Sequence, residues 1–175
     1  MSPLVILRRF LTPSPVVTLL AYMRYGALLS MRAEVELSPL LTLGRKVKIS
    51  SFSKIKASHG KLEIGENTRI ATGCFISTGE KGTHIGRDCL IGPNCTIVSS
   101  TYRYNSLEVI FDNQGHDSRG TRIGDNVLIY AGTVIVDGAR IGNGVIIAAN
   151  SVVAGDIPDN SVVEGSLGKV IFTRR

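Results

Sequence analysis

Apolar residues return along this chain every six positions. From Leu43 the series runs Leu43, Ile49, Ile55; Ile64, Ile70, Ile76; Ile85, Ile91, Ile97; Ile123, Ile129, Ile135; Ile141, Ile147, Val153, and thirteen of these fifteen positions are Ile. Six of them are followed at once by Gly: Gly44, Gly65, Gly86, Gly92, Gly124 and Gly142. Four positions beyond the apolar residue stands a small or β-branched one, as at Val47, Ser53, Thr68, Cys74, Cys89, Cys95, Thr101, Val127, Thr133, Val145 and Ser151. A period this short excludes a helix-turn-helix repeat and suits a short strand plus a tight corner. Three such units predict one triangular coil whose Ile side chains point inward and are buried only by stacking on the next coil. The pattern predicts an all-β solenoid of about five coils over residues 42–158.

The same spacing shows where the repeat is interrupted. The third step of successive coils is nine, nine, twenty-six and six residues, so every insertion leaves from one corner of the prism. The largest forms an extended loop, 102–121. Insertions gathered on one edge predict the functional edge. All three histidines, His59, His84 and His116, fall in these segments and are expected to line that edge.

Residues 1–41 lack the hexad. Their first 33 positions carry Arg8, Arg9, Arg24 and Arg32 and no acid, which is +4 of the formal +6. Two apolar stretches, Leu4–Leu11 and Val16–Ser30, flank the breaker Thr12-Pro13-Ser14-Pro15. Neither is long enough to span a bilayer, and no small-residue cleavage site stands at a secretory distance. The segment is expected to be helical. It either caps the open end of the solenoid or makes a peripheral membrane contact through residues 1–32, its cations beside anionic lipid. Residues 159–175 are expected to form a final strand and a basic tail.

Composition narrows the setting. The 175 residues suit one domain, and 19 Gly with no Trp suit a narrow prism. Three Cys without ligand spacing predict buried thiols in a reducing compartment, hence a cytoplasmic protein, and no metal site. The basic charge sits at the two ends without aromatic interleaving on a strand face, which argues against nucleic acid as a partner.

The hexads over roughly 43–171 resemble the hexapeptide-repeat acyltransferases. Asn113-Gln114-Gly115-His116, the run Ile123-Gly124-Asp125-Asn126-Val127, and the tail through Asp156-Ile157-Pro158 and Lys169-Val170-Ile171 are similar to the branch that O-acetylates sugars. The resemblance implies a left-handed parallel β-helix, a hand that the usual right-handed crossover rule does not supply. It also implies a homotrimer with sites between neighbouring subunits and acetyl-CoA as cosubstrate. The acceptor it implies is a sugar hydroxyl of a surface polysaccharide or of its lipid-linked precursor.

A sugar hydroxyl attacks a thioester only if a base takes its proton, and histidine is the usual base near neutrality. Where the family places that histidine, this chain has Tyr102. The base is then expected to be His116, with Asp117 or Glu108 fixing its tautomer, and His84 is the next candidate. Positions matching the family's pantetheine contacts are Ala131, Gly132, Ala149 and Asn150, with Tyr130 where the family has Gly. Lys169 and Arg174 would meet the phosphates of coenzyme A. The competing reading is a catalytically weakened trimeric scaffold or regulator of the same pathway.

Overall fold

The computed structural model describes residues 13–57, 59–166 and 168–173. The helix α1 (Ser14–Tyr25) opens it, with proline in its first turn, where a missing N–H costs nothing. Gly26, in the left-handed conformation (φ 64°), ends it and donates its N–H to Tyr22 O at 2.8 Å. Val17, Ala21 and Tyr25 turn inward onto the first coil, and the Tyr25 hydroxyl donates to Leu41 O at 3.0 Å.

The chain then winds into a parallel solenoid of six complete coils and one further strand. The first face stacks Leu28–Leu29, Lys48–Ile49, Arg69–Ile70, Leu90–Ile91, Leu128–Ile129, Ile146–Ile147 and Ser161–Glu164. The second stacks Glu34–Val35, Lys54–Lys56, Phe75–Ser77, Thr96–Val98, Val134–Ile135 and Val152–Val153. The third stacks Leu41–Leu43, Leu62–Ile64, Thr83–Ile85, Thr121–Ile123, Arg140–Ile141 and Asp156–Ile157. Each face is in register, so Ile49, Ile70, Ile91, Ile129 and Ile147 form one buried column, with equivalent columns on the other two faces. Burying one such side chain stabilises by about 1.5–3 kcal/mol. The final strand, Lys169–Thr173, runs antiparallel to Ser161–Glu164 and closes the first face.

The solenoid starts earlier than the spacing predicts. Leu28–Leu29 and Glu34–Val35, placed by sequence in the helical segment 1–41, are the first two strands of the first coil. Leu29 and Val35 are six apart, with Ala33 as the small inward residue between them. The hexad was masked because Ala27-Leu28-Leu29 reads as a continuation of the apolar helix, and Val35 to Leu43 is a step of eight. The coil count is therefore six, and only α1 among the described residues caps the end.

Two local rules shape the corners. The residue before the small inward position adopts positive φ: Lys46, Phe52, Asn67, Gly73, Asp88, Asn94, Asn126, Gly132, Gly144, Asn150 and Asn160. Asn and Gly tolerate this conformation best, which explains most of the choices. Where it is Ser, Thr or Cys, the small inward residue can also donate. Ser53 Oγ and Thr68 Oγ1 each reach a corner carbonyl of the next coil at 2.8 Å, and Cys95 Sγ reaches Tyr130 O at 3.2 Å. These three side chains thus satisfy buried backbone as well as filling space, whereas among the described residues the buried Ser161 Oγ meets no partner. Cys74, Cys89 and Cys95 are buried thiols, as expected, and burial pushes the Cys89 thiol up.

Phe52 is the anomaly among the corners. Its φ is 62° and its ring is two-thirds exposed. A left-handed conformation costs an L residue about 1–2 kcal/mol. Phe52→Asn should therefore stabilise the chain by about 1 kcal/mol, read as a higher denaturant midpoint at unchanged slope. A lower midpoint would mean that the stacking of Arg32 on the ring, at 5.9 Å, outweighs the strain.

Candidate functional site

Every insertion does leave from one corner, between the second and third faces. The largest departs after Thr96–Val98 and returns at Thr121–Ile123. Thr101–Tyr102 pairs antiparallel with His116–Asp117, so Tyr102 stands directly opposite His116. Their ring centroids are 4.1 Å apart at an interplanar angle of 46°. The ribbon is tightened by Arg103 N–H to Gly115 O at 3.0 Å and by Arg103 Nε to Asp117 Oδ1 at 2.7 Å. Tyr102 and His116, fourteen residues apart in sequence, thus occupy one place. Both are exposed.

The loop is pinned internally. The Gln114 amide donates to Ser106 O at 3.0 Å and Val109 O at 2.7 Å, and its oxygen accepts from Ser106 N–H at 3.0 Å. A single 3-10 turn, Phe111–Gln114, leads into Gly115, whose φ of 76° reverses the chain. On the return leg, Ser118 Oγ donates to Ser99 O at 2.6 Å and accepts from Lys81 N–H at 3.0 Å. Between these pins the tip presents Tyr104, Leu107, Val109, Ile110 and Phe111 to solvent around a cavity of about 480 Å³.

The expected partners of His116 are placed otherwise. Successive side chains of a strand point to opposite sides, and Asp117 accordingly turns away to pair with Arg103 rather than fixing the imidazole. Glu108 lines the cavity at the loop tip. Among the described residues, the ring nitrogens of His116 meet no hydrogen-bond partner. His84 lies apart, on the third-face strand Thr83–Ile85, with Nδ1 3.2 Å from Glu63 Oε2. Lys61 binds the same carboxylate, and Lys61 and then His84 hold Glu63 below the usual carboxylate range. The histidines therefore do not converge. His59 is exposed in the turn of an earlier coil.

The residues expected to hold coenzyme A lie on another corner, between the first and second faces. Tyr130, Ala131 and Gly132 turn that corner in the fifth coil, and Ala149 and Asn150 turn it in the sixth. Asn150 N–H donates to Ala131 O and Gly132 N–H to Pro93 O, both at 2.9 Å. A Cβ at Gly132 would sit 2.3 Å from Asn150 Oδ1, and φ there is 71°, so a side chain here would displace the Asn150 amide and adopt the left-handed backbone. Tyr130 is half exposed, and its ring stands on the rim of this corner. Lys169 opens the final strand opposite Glu164, and Arg174 lies outside the described residues. Within one chain the second face separates this corner from the loop, so the two sets belong to different corners of the prism.

Comparison with known proteins gives the repeat its name. The description "Bacterial transferase hexapeptide (six repeats)" matches residues 120–155, and "Hexapeptide repeat of succinyl-transferase" matches residues 82–101. The chain is a hexapeptide-repeat protein. Its fold is accordingly the left-handed parallel β-helix. A probable acetyltransferase of Mycobacterium tuberculosis, Rv3034c, is 28% identical over 169 residues, covering 97% of this chain and 56% of that protein. Serine acetyltransferase of Staphylococcus aureus is 30% identical over 125 residues, covering 71% of this chain and 55% of that protein. The hexapeptide-repeat chain thus spans about half the length of the curated relatives it matches. A mutant of AntD, an N-acyltransferase from Bacillus cereus, solved with dTDP-4-amino-4,6-dideoxyglucose and Coenzyme A, has a TM-score of 0.76 at 20% identity. That match covers 86% of this chain and 82% of that one, and at this identity it is a likeness of fold.

Proposed function

We propose that the protein is a coenzyme A-dependent O-acetyltransferase that moves an acetyl group from acetyl-CoA to a sugar hydroxyl of a surface polysaccharide or its lipid-linked precursor. The observation that carries this reading is the Tyr102–His116 pair, which puts an exposed imidazole where the resemblance calls for the base. Neutral His116 takes the hydroxyl proton as the oxygen attacks the thioester carbon. The carbonyl oxygen gathers negative charge that a backbone N–H can meet. The C–S bond then breaks, and the thiolate leaves as thiol with the proton from His116. Tyr102 packs on the ring and limits its rotation. Acyl transfer is also what the acetyltransferase relatives and the AntD likeness favour.

The site is completed by a neighbour in a homotrimer. From the third coil on, the second face presents Phe75, Val98, Val134, Val136 and Val152 outward beside Ser77 and Thr96, while its first two coils carry Glu34, Lys54 and Lys56, and the loop tip exposes Leu107 fully. A neighbour's loop laid against these surfaces buries both and brings His116 to the corner of Tyr130, Ala131, Gly132, Ala149 and Asn150. The pantetheine arm lies along that corner, and Lys169 and Arg174 meet the phosphates.

The helix α1 serves as cap and as peripheral membrane contact at the cytoplasmic face. Its inward side covers the first coil, while Val16, Leu19, Leu20 and Met23 form an exposed stripe at helical spacing beside Arg24. No helix of the described residues is long and apolar enough to cross a membrane. Such a stripe with flanking cations suits the interface of anionic lipid.

His116→Ala should lower turnover by about 10²–10⁴ with little change in coenzyme A affinity. Tyr102→Phe, which keeps the packed ring, should have a modest effect. Loss of turnover in Tyr102→Phe with full activity in His116→Ala would move the base to the phenol. A wild type that never turns over acetyl-CoA would leave the scaffold reading. For the membrane, replacing both Leu19 and Met23 by Ser should abolish salt-sensitive sedimentation with anionic vesicles while the fold persists. Unchanged sedimentation would remove α1 from the contact.

A further inference from the structure

The three faces differ in what they offer outward. On the third, the in-register outward positions read Glu63, His84, Arg122, Arg140 and Asp156. Lys61, Lys81 and Arg119 flank this ladder, and with Glu63, His84, Arg122 and Arg140 they line a shallow open groove of about 370 Å³ floored by Thr83, Gly82, Gly120 and Thr121. Its lining holds five cations, one imidazole and one carboxylate, Glu63, which Lys61 and His84 already engage; two further carboxylates border it, Asp156 in register with Arg140 and Asp137 at the Arg119 backbone. Among the described residues no ion pair reaches Lys81, Arg119, Arg122 or Arg140. The floor is rigid: Asp137 accepts from the N–H groups of Arg119 (2.9 Å) and Gly120 (3.0 Å), and Ser118 locks Lys81 to the return leg of the loop.

Two features give the cluster a direction. Its cations are spread over four successive coils, and at about 4.8 Å per coil they extend roughly 15 Å along the solenoid axis. A lone phosphate would be met by converging donors, whereas this array fits anionic groups repeated along an extended ligand. Arg119, three residues after His116, stands on the third of these four coils, so the groove passes beside the base of the loop. The apolar outward rows lie on the other faces, Leu90, Leu128 and Ile146 on the first and Phe75 and Val134 on the second, so assembly through them leaves the cations in water.

We propose that the third face is a track for a polyanionic glycan, whose successive carboxylate or phosphate groups lie on Lys61, Lys81, Arg119, Arg122 and Arg140. The chain of sugars then runs past the base of the loop and presents a hydroxyl to His116. This rests on the acyl-transfer reading for its purpose, while the binding itself is measurable alone. The groove lining holds no Phe, Tyr or Trp on which successive bases could stack, which favours a glycan over single-stranded nucleic acid.

The test uses the full chain and fluorescein-labelled polygalacturonate, with neutral dextran of equal length and single-stranded DNA as comparison probes. Polygalacturonate should bind in low salt, weaken as salt rises, and lose about tenfold in affinity in the double variant Arg122→Gln/Arg140→Gln. The control Lys48→Gln/Arg69→Gln removes the same charge from the first face and should bind as wild type. Equal loss in both variants would mean net charge alone and would overturn the track, as would tighter binding of the DNA. Displacement of the probe by coenzyme A would make these cations the donor's phosphate site and overturn their assignment to the acceptor. A smaller oligomer for Arg122→Gln/Arg140→Gln would make the face an interface and overturn it too. Binding that follows Arg122 and Arg140 supports the track whether or not the wild type turns over acetyl-CoA. Turnover on an acidic glycan that ignores both arginines overturns it.

Discussion

A coil of this solenoid cannot hide its three inward side chains until another coil lies on it. That dependence explains why Ile49, Ile70, Ile91, Ile129 and Ile147 must align in one column and why the backbone may not drift by a single residue. A slip would turn each Ile outward and each Lys, Arg or Thr inward. Corners are correspondingly rigid: a left-handed residue, then a small side chain, which at Ser53, Thr68 and Cys95 meets a carbonyl of the next coil. The price of such regularity is that variation can enter at only one place, the corner between the second and third faces. There the chain carries its turns, its long loop and the chemistry proposed for it.

The outward positions are free of the core's demands, and the three faces use that freedom differently. The second face keeps Phe75, Val134 and Val152 outward beyond the charged Glu34, Lys54 and Lys56 of its first two coils, the third keeps cations between Glu63 and Asp156, and the first is mixed. A prism with an apolar stretch on one side, a cationic groove on another and an apolar loop tip has a preferred way to associate. The loop corner and the corner of Gly132 and Asn150 lie on opposite edges of the second face, so a neighbour packed on that face is what can join them. In this way the repeat that stabilises each chain also determines where a shared site can form.

Much of the fold could be read from spacing, because period six is a direct imprint of the coil. Leu29 and Val35 escaped because a two-residue strand after an apolar helix has too little sequence to reset the period. The corner donors were visible as small residues, yet their bonding role needed the carbonyl of the next coil, which lies 18 residues on for Ser53. The site was less legible. Tyr102 and His116 were both chosen from sequence, but their contact depends on an antiparallel pairing that no periodic signal marks. Asp117 was misread for the same reason: the pairing sends it to Arg103. His84 looked like part of an edge and proved to be a rung of the third-face ladder.

Coenzyme A bound to the crystallised full chain would test the shared site most directly. The account predicts a threefold assembly in which the thiol sulfur lies within hydrogen-bond reach of an acceptor position beside His116 of one subunit. The pantetheine arm should follow the Tyr130–Gly132 and Ala149–Asn150 corner of its neighbour. Coenzyme A held wholly within one chain, or with its sulfur remote from every Tyr102–His116 pair, would contradict it.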